Sequence, residues 1–151
     1  MAEGDGSCYQ GFVRYVMEGK FNLDTGGDTL KVALLTGYTP AIHTHETWTA
    51  VSGSEVTGTG YSAGGETLAN QVVSETGTAT TSKGKFDGDN VTWTGLNIAG
   101  TSAAPSHAVL YDDTVTAPAD ALIAYWEVTT ATNGGDYTLN WNTAGIITIS
   151  V

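Results

Sequence analysis

Basic residues are scarce in this chain. It holds 5 lysines and arginines against 16 aspartates and glutamates, which gives a formal net charge of -11 at pH 7. Nucleic acids and anionic membrane surfaces are bound through clustered lysine and arginine side chains. We therefore expect neither a nucleic acid nor a membrane among the partners of this protein.

Cysteine and long apolar runs are lacking as well. Cys8 is the single cysteine, which excludes an internal disulfide and a cysteine-rich zinc site. No apolar run approaches the roughly 20 residues of a membrane-spanning helix. The first residues also lack the basic start and apolar core of a secretory signal, so we expect a protein that is not secreted by that route.

The abundant residues favour β-structure. Hydrophobic residues make up 40% of the 151 positions, enough for one packed domain, and threonine and 20 glycines fill much of the rest. Threonine suits pleated strands and glycine suits turns. The sequence therefore predicts a mainly β single domain over 1–151, an antiparallel β-sandwich or flattened barrel with one N-terminal α-helix.

The helix is predicted over residues 7–20 and the β-domain over 28–151. Apolar residues recur at the spacing of one helical face, which we expect to pack on the sheet: Tyr9, Phe12, Val13, Val16 and Met17. Segments 29–36, 107–112 and 121–129 are apolar enough for central strands.

A turn signal stands between two further predicted strands. Asp87 and Gly88 open the segment 87–90, and an Asp-Gly step between strands is typical of a tight hairpin. The sequence therefore predicts that the strands on either side of this turn pair with each other.

A long loop, 37–66, connects the first strand to the rest. It is rich in threonine, glycine and serine, and connections of this length are often functional. Tyr38, Trp48 and Tyr61 are its aromatic anchors. We predict that they are contact residues and that 38–58, together with the residues before Ser7, docks on neighbouring molecules.

Candidates for metal binding and catalysis are few. His43 and His45 would lie on one side of an extended chain, but no third ligand is evident, and two exposed loop histidines are the commoner arrangement. Asp112 and Asp113 end a predicted strand, so they point to opposite sides and favour a turn over a catalytic pair. We therefore predict no metal, no cofactor, no catalytic residue and no enzymatic activity.

The tryptophans allow two interpretations. Aromatic rings on one face bind sugars by stacking, whereas aromatic residues that alternate with polar ones on strands are also typical of a core. The core interpretation is favoured for the set, which consists of Trp48, Trp93, Trp126 and Trp141.

Six blocks in a fixed order resemble a group of small structural proteins of tailed bacteriophages and prophages. The blocks are DTLKVALLT at 28–36, TGYSAGGETL at 59–68, VTWT at 91–94, AVLYDDT at 108–114, LIAY at 122–125 and WNTAGIITI at 141–149. The resemblance implies a virion structural protein, most of all a capsid decoration (cement) protein that binds and stabilises the phage head. The alternatives are a tail or fibre component and a carbohydrate-binding, host-recognition module.

The resemblance also implies partners and a location. The partners would be the major capsid protein or other virion proteins, together with further copies of this chain, for which analogy with decoration proteins favours a trimer. The protein would be part of the virion and be assembled in the host cytoplasm. The group offers no catalytic residues to carry over, and segment 38–58 lies outside the resemblance.

Overall fold

The computed structural model describes residues 6–78, 80–98 and 103–150. The fold is mainly β, with one α-helix and several antiparallel sheets, and the described residues form no closed barrel. This confirms the predicted mainly β class with an N-terminal helix, and the flattened barrel is not formed. Within the same residues no helix has the length and hydropathy needed to cross a membrane.

The α-helix and the strands follow one another along the chain, and the long loop, which contains β3, lies between β2 and β4. Their bounds are β1 (Ser7–Cys8), α1 (Gln10–Met17), β2 (Leu30–Leu35), β3 (Gly58–Thr59), β4 (Glu66–Thr67), β5 (Val72–Thr78), β6 (Thr81–Asp87), β7 (Val91–Trp93), β8 (Asn97–Ile98), β9 (His107–Asp112), β10 (Leu122–Glu127), β11 (Tyr137–Leu139) and β12 (Ile147–Ser150).

A five-stranded antiparallel sheet in the order β1-β10-β9-β2-β4 is the centre of the molecule. Strand β2 pairs with β9 along its whole length, from Leu30 opposite Asp112 to Leu35 opposite His107. The sheet is covered on both faces, which explains why its strands read as nearly continuous apolar runs. The predicted central strands 29–36, 107–112 and 121–129 are thus confirmed.

Two apolar clusters lie on the two faces of this sheet. Along β2, Val32 and Leu34 belong to the first core, while Ala33 and Leu35 belong to the second core. The alternation follows from the two-residue period of a strand. The first core also receives the buried side chains of the small β7–β11 sheet. The second core lies under the long loop, which contributes Val51.

Segment 87–90 connects two sheets, and the hairpin predicted there is wrong. Strand β6 pairs with β5 and β12, whereas β7 pairs with β11. Trp141, which belongs to neither β6 nor β7, is hydrogen-bonded to this connection. Its indole N–H donates to the Asp89 carbonyl at 2.8 Å, and its backbone N–H donates to Asn90 Oδ1 at 3.0 Å. An Asp-Gly step turns the chain locally, but burial of the flanking side chains decides which strand becomes the partner.

The helix is shorter than predicted and rotated about its axis. Its buried positions are Gly11, Phe12 and Tyr15. A Cβ at Gly11 would lie 3.2 Å from the Tyr15 ring and 3.4 Å from Glu46, so the glycine lets the helix lie close to the loop. The predicted packing of Tyr9 and Phe12 is confirmed by burial. It is wrong for the other three members of the stripe, which are exposed: Val13, Val16 and Met17.

Strands β5, β6 and β12 form a three-stranded sheet, which we call the arm. Phe86 is buried at its base and Ile147 packs partly against the first core beside it. Every residue of β5 is exposed, and the residues of β6 are exposed from Thr81 to Gly84. The arm therefore extends beyond the core with both of its faces in solvent.

Candidate functional site

The predicted contact aromatics of the long loop lie against their own chain. Tyr38 is buried, and its hydroxyl lies 2.8 Å from the Tyr9 hydroxyl and 2.8 Å from Nδ1 of His45. The Trp48 ring stacks on Tyr111, with centroids 4.8 Å apart and planes only 7° from parallel. Burial raises the pKa of the Tyr9 and Tyr38 hydroxyls, so both stay protonated and serve as hydrogen-bonding groups.

Tyr61 is tied to the same chain by a different set of bonds. Its hydroxyl accepts the Leu34 N–H at 3.1 Å and donates to Glu55 Oε1 at 2.9 Å. Glu55 Oε1 also accepts the Gly64 N–H at 2.6 Å. The loop thus covers the central sheet and ends beside β4. Contact of Tyr38, Trp48 and Tyr61 with neighbouring molecules stays a prediction, and the predicted docking segment before Ser7 lies, apart from Gly6, outside the described residues.

The two loop histidines do not point to a common site. His43 Nδ1 is hydrogen-bonded to Gln10 Oε1, whereas His45 Nδ1 is hydrogen-bonded to Tyr38. Among the described residues, no three or more histidine, cysteine, aspartate or glutamate side chains gather at one point where they would bind a metal. The arrangement gives His43 and His45 local structural roles.

Asp112 and Asp113 lie on opposite sides of the strand end, as predicted. Asp112 Oδ1 accepts the backbone N–H groups of Thr114 at 2.8 Å and Val115 at 3.0 Å, which confirms the turn interpretation. Asp113 instead forms an ion pair with Lys31 at 3.0 Å. The pair therefore does not converge on one point.

The second oxygen of Asp112 is unusual. Asp112 is fully buried, and its Oδ2 has no donor among the described residues. Burial, and after it the neighbouring Asp28 carboxyl, together raise the pKa of this carboxyl to about 6. Two ionised carboxylates cannot hydrogen-bond each other, so an interaction between Asp112 and Asp28 requires a proton on one of them. The sequence did not indicate this pair, because 28 and 112 meet only through the pairing of β2 with β9.

The tryptophans form a core and not a binding face. Trp93, Trp126 and Trp141 are buried, so the core interpretation is confirmed for these three. A groove of about 280 Å³ borders Trp126 and Trp141, but their planes are inclined at 55° and do not form a flat stacking surface. Cys8 also lines this groove, and burial raises its thiol pKa, which makes it a poor nucleophile.

Exposed large apolar side chains are confined to two places among the described residues. One is the helix stripe, which we define as Val13, Val16 and Met17, and the other is the arm, with Val72, Val73 and Ile149. The hydrophobic pattern predicts the stripe to be part of the core, which is wrong, and does not single out the arm. Gly11 and Tyr15 were the signal for the true buried face of the helix, because they lie on the side of it opposite the stripe.

No protein-family model, curated protein or solved structure matches this chain. A functional proposal for it therefore depends on the surfaces and side chains described above, together with the order of its sequence blocks.

Proposed function

We propose that this protein is a non-enzymatic structural component of a phage virion, of the capsid decoration type. The observation that carries the proposal is that, in the part of the chain the structure describes, the exposed large apolar side chains are confined to the helix stripe and the arm. Grouped exposed apolar residues mark surfaces that bind other proteins. The six sequence blocks that resemble phage structural proteins support the same function.

A decoration protein needs a rigid body and separate contact surfaces. The central sheet supplies rigidity, because both of its faces are packed. The helix stripe and the arm lie on different elements, so one can bind the capsid shell while the other remains available for a second contact. The acidic charge of -11 keeps many displayed copies soluble.

We assign the helix stripe to the shell contact. Val13, Val16 and Met17 are spaced at three and four residues, so they share one side of α1. Met17 is the most exposed of them at 78%. Methionine adapts its shape to irregular surfaces, which suits docking on a shell whose subunits are not all in equivalent surroundings.

A carbohydrate-binding function receives less support from the side chains. Sugar-binding faces present coplanar exposed aromatic rings, whereas Trp93, Trp126 and Trp141 are buried here and Trp48 is covered on one face by Tyr111. Binding to purified tails and not to capsids would distinguish the tail or fibre alternative from capsid decoration.

The test is cosedimentation of the purified protein with capsids of the encoding phage that lack it. We expect saturable binding to capsids and at least a ten-fold weaker binding for the double variant Val13→Asp, Met17→Asp. The matched control is Asn133→Asp, Asn142→Asp, which adds the same two charges. Both of its asparagines use Oδ1 to accept a turn N–H, and aspartate retains that bond.

Each outcome decides the proposal. Loss of binding for the stripe variant alone supports it. Binding to purified tails and not to capsids would replace decoration by a tail function. Absence of binding to either particle would overturn a virion function.

A further inference from the structure

We infer that two copies of this chain join through their arms, with β5 of one copy pairing antiparallel to β5 of the other. The inference concerns the isolated protein and does not depend on the proposed virion function. Four features of the arm carry it: an open strand edge, a self-complementary register, an uncovered apolar face and a lack of net charge.

The open edge belongs to β5. In the order β12-β6-β5, strand β5 pairs with β6 on one side, from Val72 opposite Asp87 to Thr78 opposite Thr81, and no described strand pairs with its other side. The Val73 N–H faces that outer side and donates to Asp24 Oδ1 at 3.1 Å. Alternate residues of an antiparallel strand face the same edge, so Glu75 and Gly77 also present their backbone groups outward.

Unpaired strand edges recruit other strands, and natural proteins normally block them with a proline, a bulge or a covering loop. The outer edge of β5 has no proline, and Asp24 covers only its first outward position. Two backbone N–H groups and two carbonyls, those of Glu75 and Gly77, are therefore ready to pair.

One register makes this edge complementary to itself. If Thr76 faces Thr76 of the second copy across a two-fold axis, Glu75 lies opposite the partner's Gly77, and Gly77 lies opposite the partner's Glu75. This places no glutamate opposite a glutamate, which would be unfavourable. The product is one continuous six-stranded sheet, β12-β6-β5 followed by the same strands of the second copy in reverse order.

The same pairing places the apolar faces of the two arms on one side of the joined sheet. Val73 shares a row with Phe86 and Ile147, and in the next row Ile149 lies opposite Gly84. Val73 and Ile149 are 47% and 59% exposed, and a Cβ placed on Gly84 would meet no atom within 4 Å. The face is thus uncovered in one copy. Glu75 completes the row of Gly84 and Ile149 at the β5 edge, and pairing there places the apolar rows of both copies on the same side of the joined sheet.

The charge distribution favours a second copy of this chain as the molecule that pairs with the β5 edge. Within 72–87, Glu75 and Asp87 are balanced by Lys83 and Lys85, so the net charge of -11 lies entirely on the rest of the chain. Two acidic bodies repel each other, and the neutral arm is where two copies meet at the smallest electrostatic cost. Lys85 is already paired with Asp87 at 2.7 Å, which keeps the base of the arm neutral locally.

The first experiment measures the mass of the isolated protein by sedimentation equilibrium. We expect a dimer of the 15.6 kDa chain, in place of the trimer that analogy with decoration proteins favours. Glu75→Pro removes one outward N–H while leaving the bonds to β6 in place, and we expect its dimer dissociation constant to rise at least ten-fold. The matched control Glu75→Gln keeps the edge and should remain dimeric. A far-UV circular dichroism spectrum like that of the wild type shows that the proline variant retains the fold.

The second experiment locates the contact. A cysteine in place of Thr76 would face its symmetry mate at a non-hydrogen-bonded position, where Cα atoms lie about 4.5 Å apart, close enough for a disulfide. We expect mild oxidation to crosslink Thr76→Cys to a dimer and to leave Ser74→Cys and the parent chain with Cys8 uncrosslinked. A monomer, a trimer, or faster crosslinking of Ser74→Cys than of Thr76→Cys would overturn the inference.

Discussion

Asp112 combines complete burial with one carboxylate oxygen that faces no donor. Its pKa is raised to about 6, well above the value near 3.8 expected in the unfolded chain. The folded protein therefore holds a proton that the unfolded chain releases between these two values. The stability that this group contributes is fully present below about pH 4 and is lost as the pH rises through about 6.

We predict that Asp112→Asn stabilises the protein at pH 8 by roughly 1–3 kcal/mol. The amide oxygen of asparagine accepts the N–H groups of Thr114 and Val115, and its amide group donates to Asp28 without needing a proton from solvent. Urea denaturation at pH 4.5, 6 and 8 measures the effect. The advantage of the variant should grow with pH over this range.

The control for this prediction is Asp113→Asn. Asp113 is partly exposed and pairs with Lys31, so its replacement should cost less than about 1 kcal/mol with little dependence on pH. If the wild type and Asp112→Asn differ by the same amount at all three pH values, Asp112 is not the group that binds the proton.

Gly65 is a second position where one atom decides stability. Its φ is +76°, and a Cβ there would lie 2.0 Å from the Val32 carbonyl oxygen. We predict that Gly65→Ala destabilises the protein by about 2–3 kcal/mol, because both the backbone strain and the overlap with β2 must be relieved. Denaturant unfolding measures the change. Gly53→Ala is the control, since a Cβ at Gly53 meets nothing within 4 Å, and it should unfold within about 0.5 kcal/mol of the wild type.

At the scale of elements, α1 separates core from surface within a few residues. Phe12 is buried and its ring lies 5.4 Å from that of Phe21, whereas Met17 is exposed. We predict that Phe12→Ala lowers the free energy of unfolding by about 3–5 kcal/mol. Met17→Ala should change it by less than about 0.5 kcal/mol, and both are measured by chemical denaturation. Equal effects of the two substitutions would mean that the helix is rotated from the orientation described here.

The elements also show which parts of the fold were predictable. Strands β2, β9 and β10 were predictable, because strands that are buried on both faces have continuous apolar sequences. The helix face was not, because Tyr15 and Gly11 weigh little in a hydrophobic pattern although they fit closely against Glu46. The pairing partner of β6 was not predictable, because the turn signal at Asp87 and Gly88 indicates that the chain changes direction and does not indicate which strand pairs with β6.

The candidate site, too, was predictable only where residues adjacent in the chain determine its geometry. Adjacent residues such as Asp112 and Asp113 were placed correctly on opposite sides, since strand geometry fixes their directions. The proximity of Asp28 to Asp112 depends on strand register, and the exposure of the arm depends on the absence of a covering element. Neither is encoded in a local pattern.

At the scale of the whole molecule, net charge governs association. The bodies of two copies carry like charge, so screening by salt should favour contact between their arms. We predict that the dimer dissociation constant falls several-fold between about 0.01 M and 0.15 M salt, as the Debye length drops from about 30 Å to about 8 Å. Sedimentation at the two salt concentrations tests this. Weaker association at the higher concentration would indicate attraction between opposite charges, such as Lys83 with an acidic surface, and would contradict pairing at a neutral edge.

The order of strands in the central sheet has a consequence for how the protein is made. Strand β2 is synthesised well before β9, yet it pairs along its length with β9, and β1 pairs with β10 through Ser7 and Tyr125. A ribosome adds about 5–20 residues per second, so the apolar side chains of β2 wait for seconds without their partners. Contacts between residues so distant in sequence also form slowly. Nascent chains of this protein should therefore bind general chaperones until most of the chain has been synthesised, and folding should follow release more than accompany elongation.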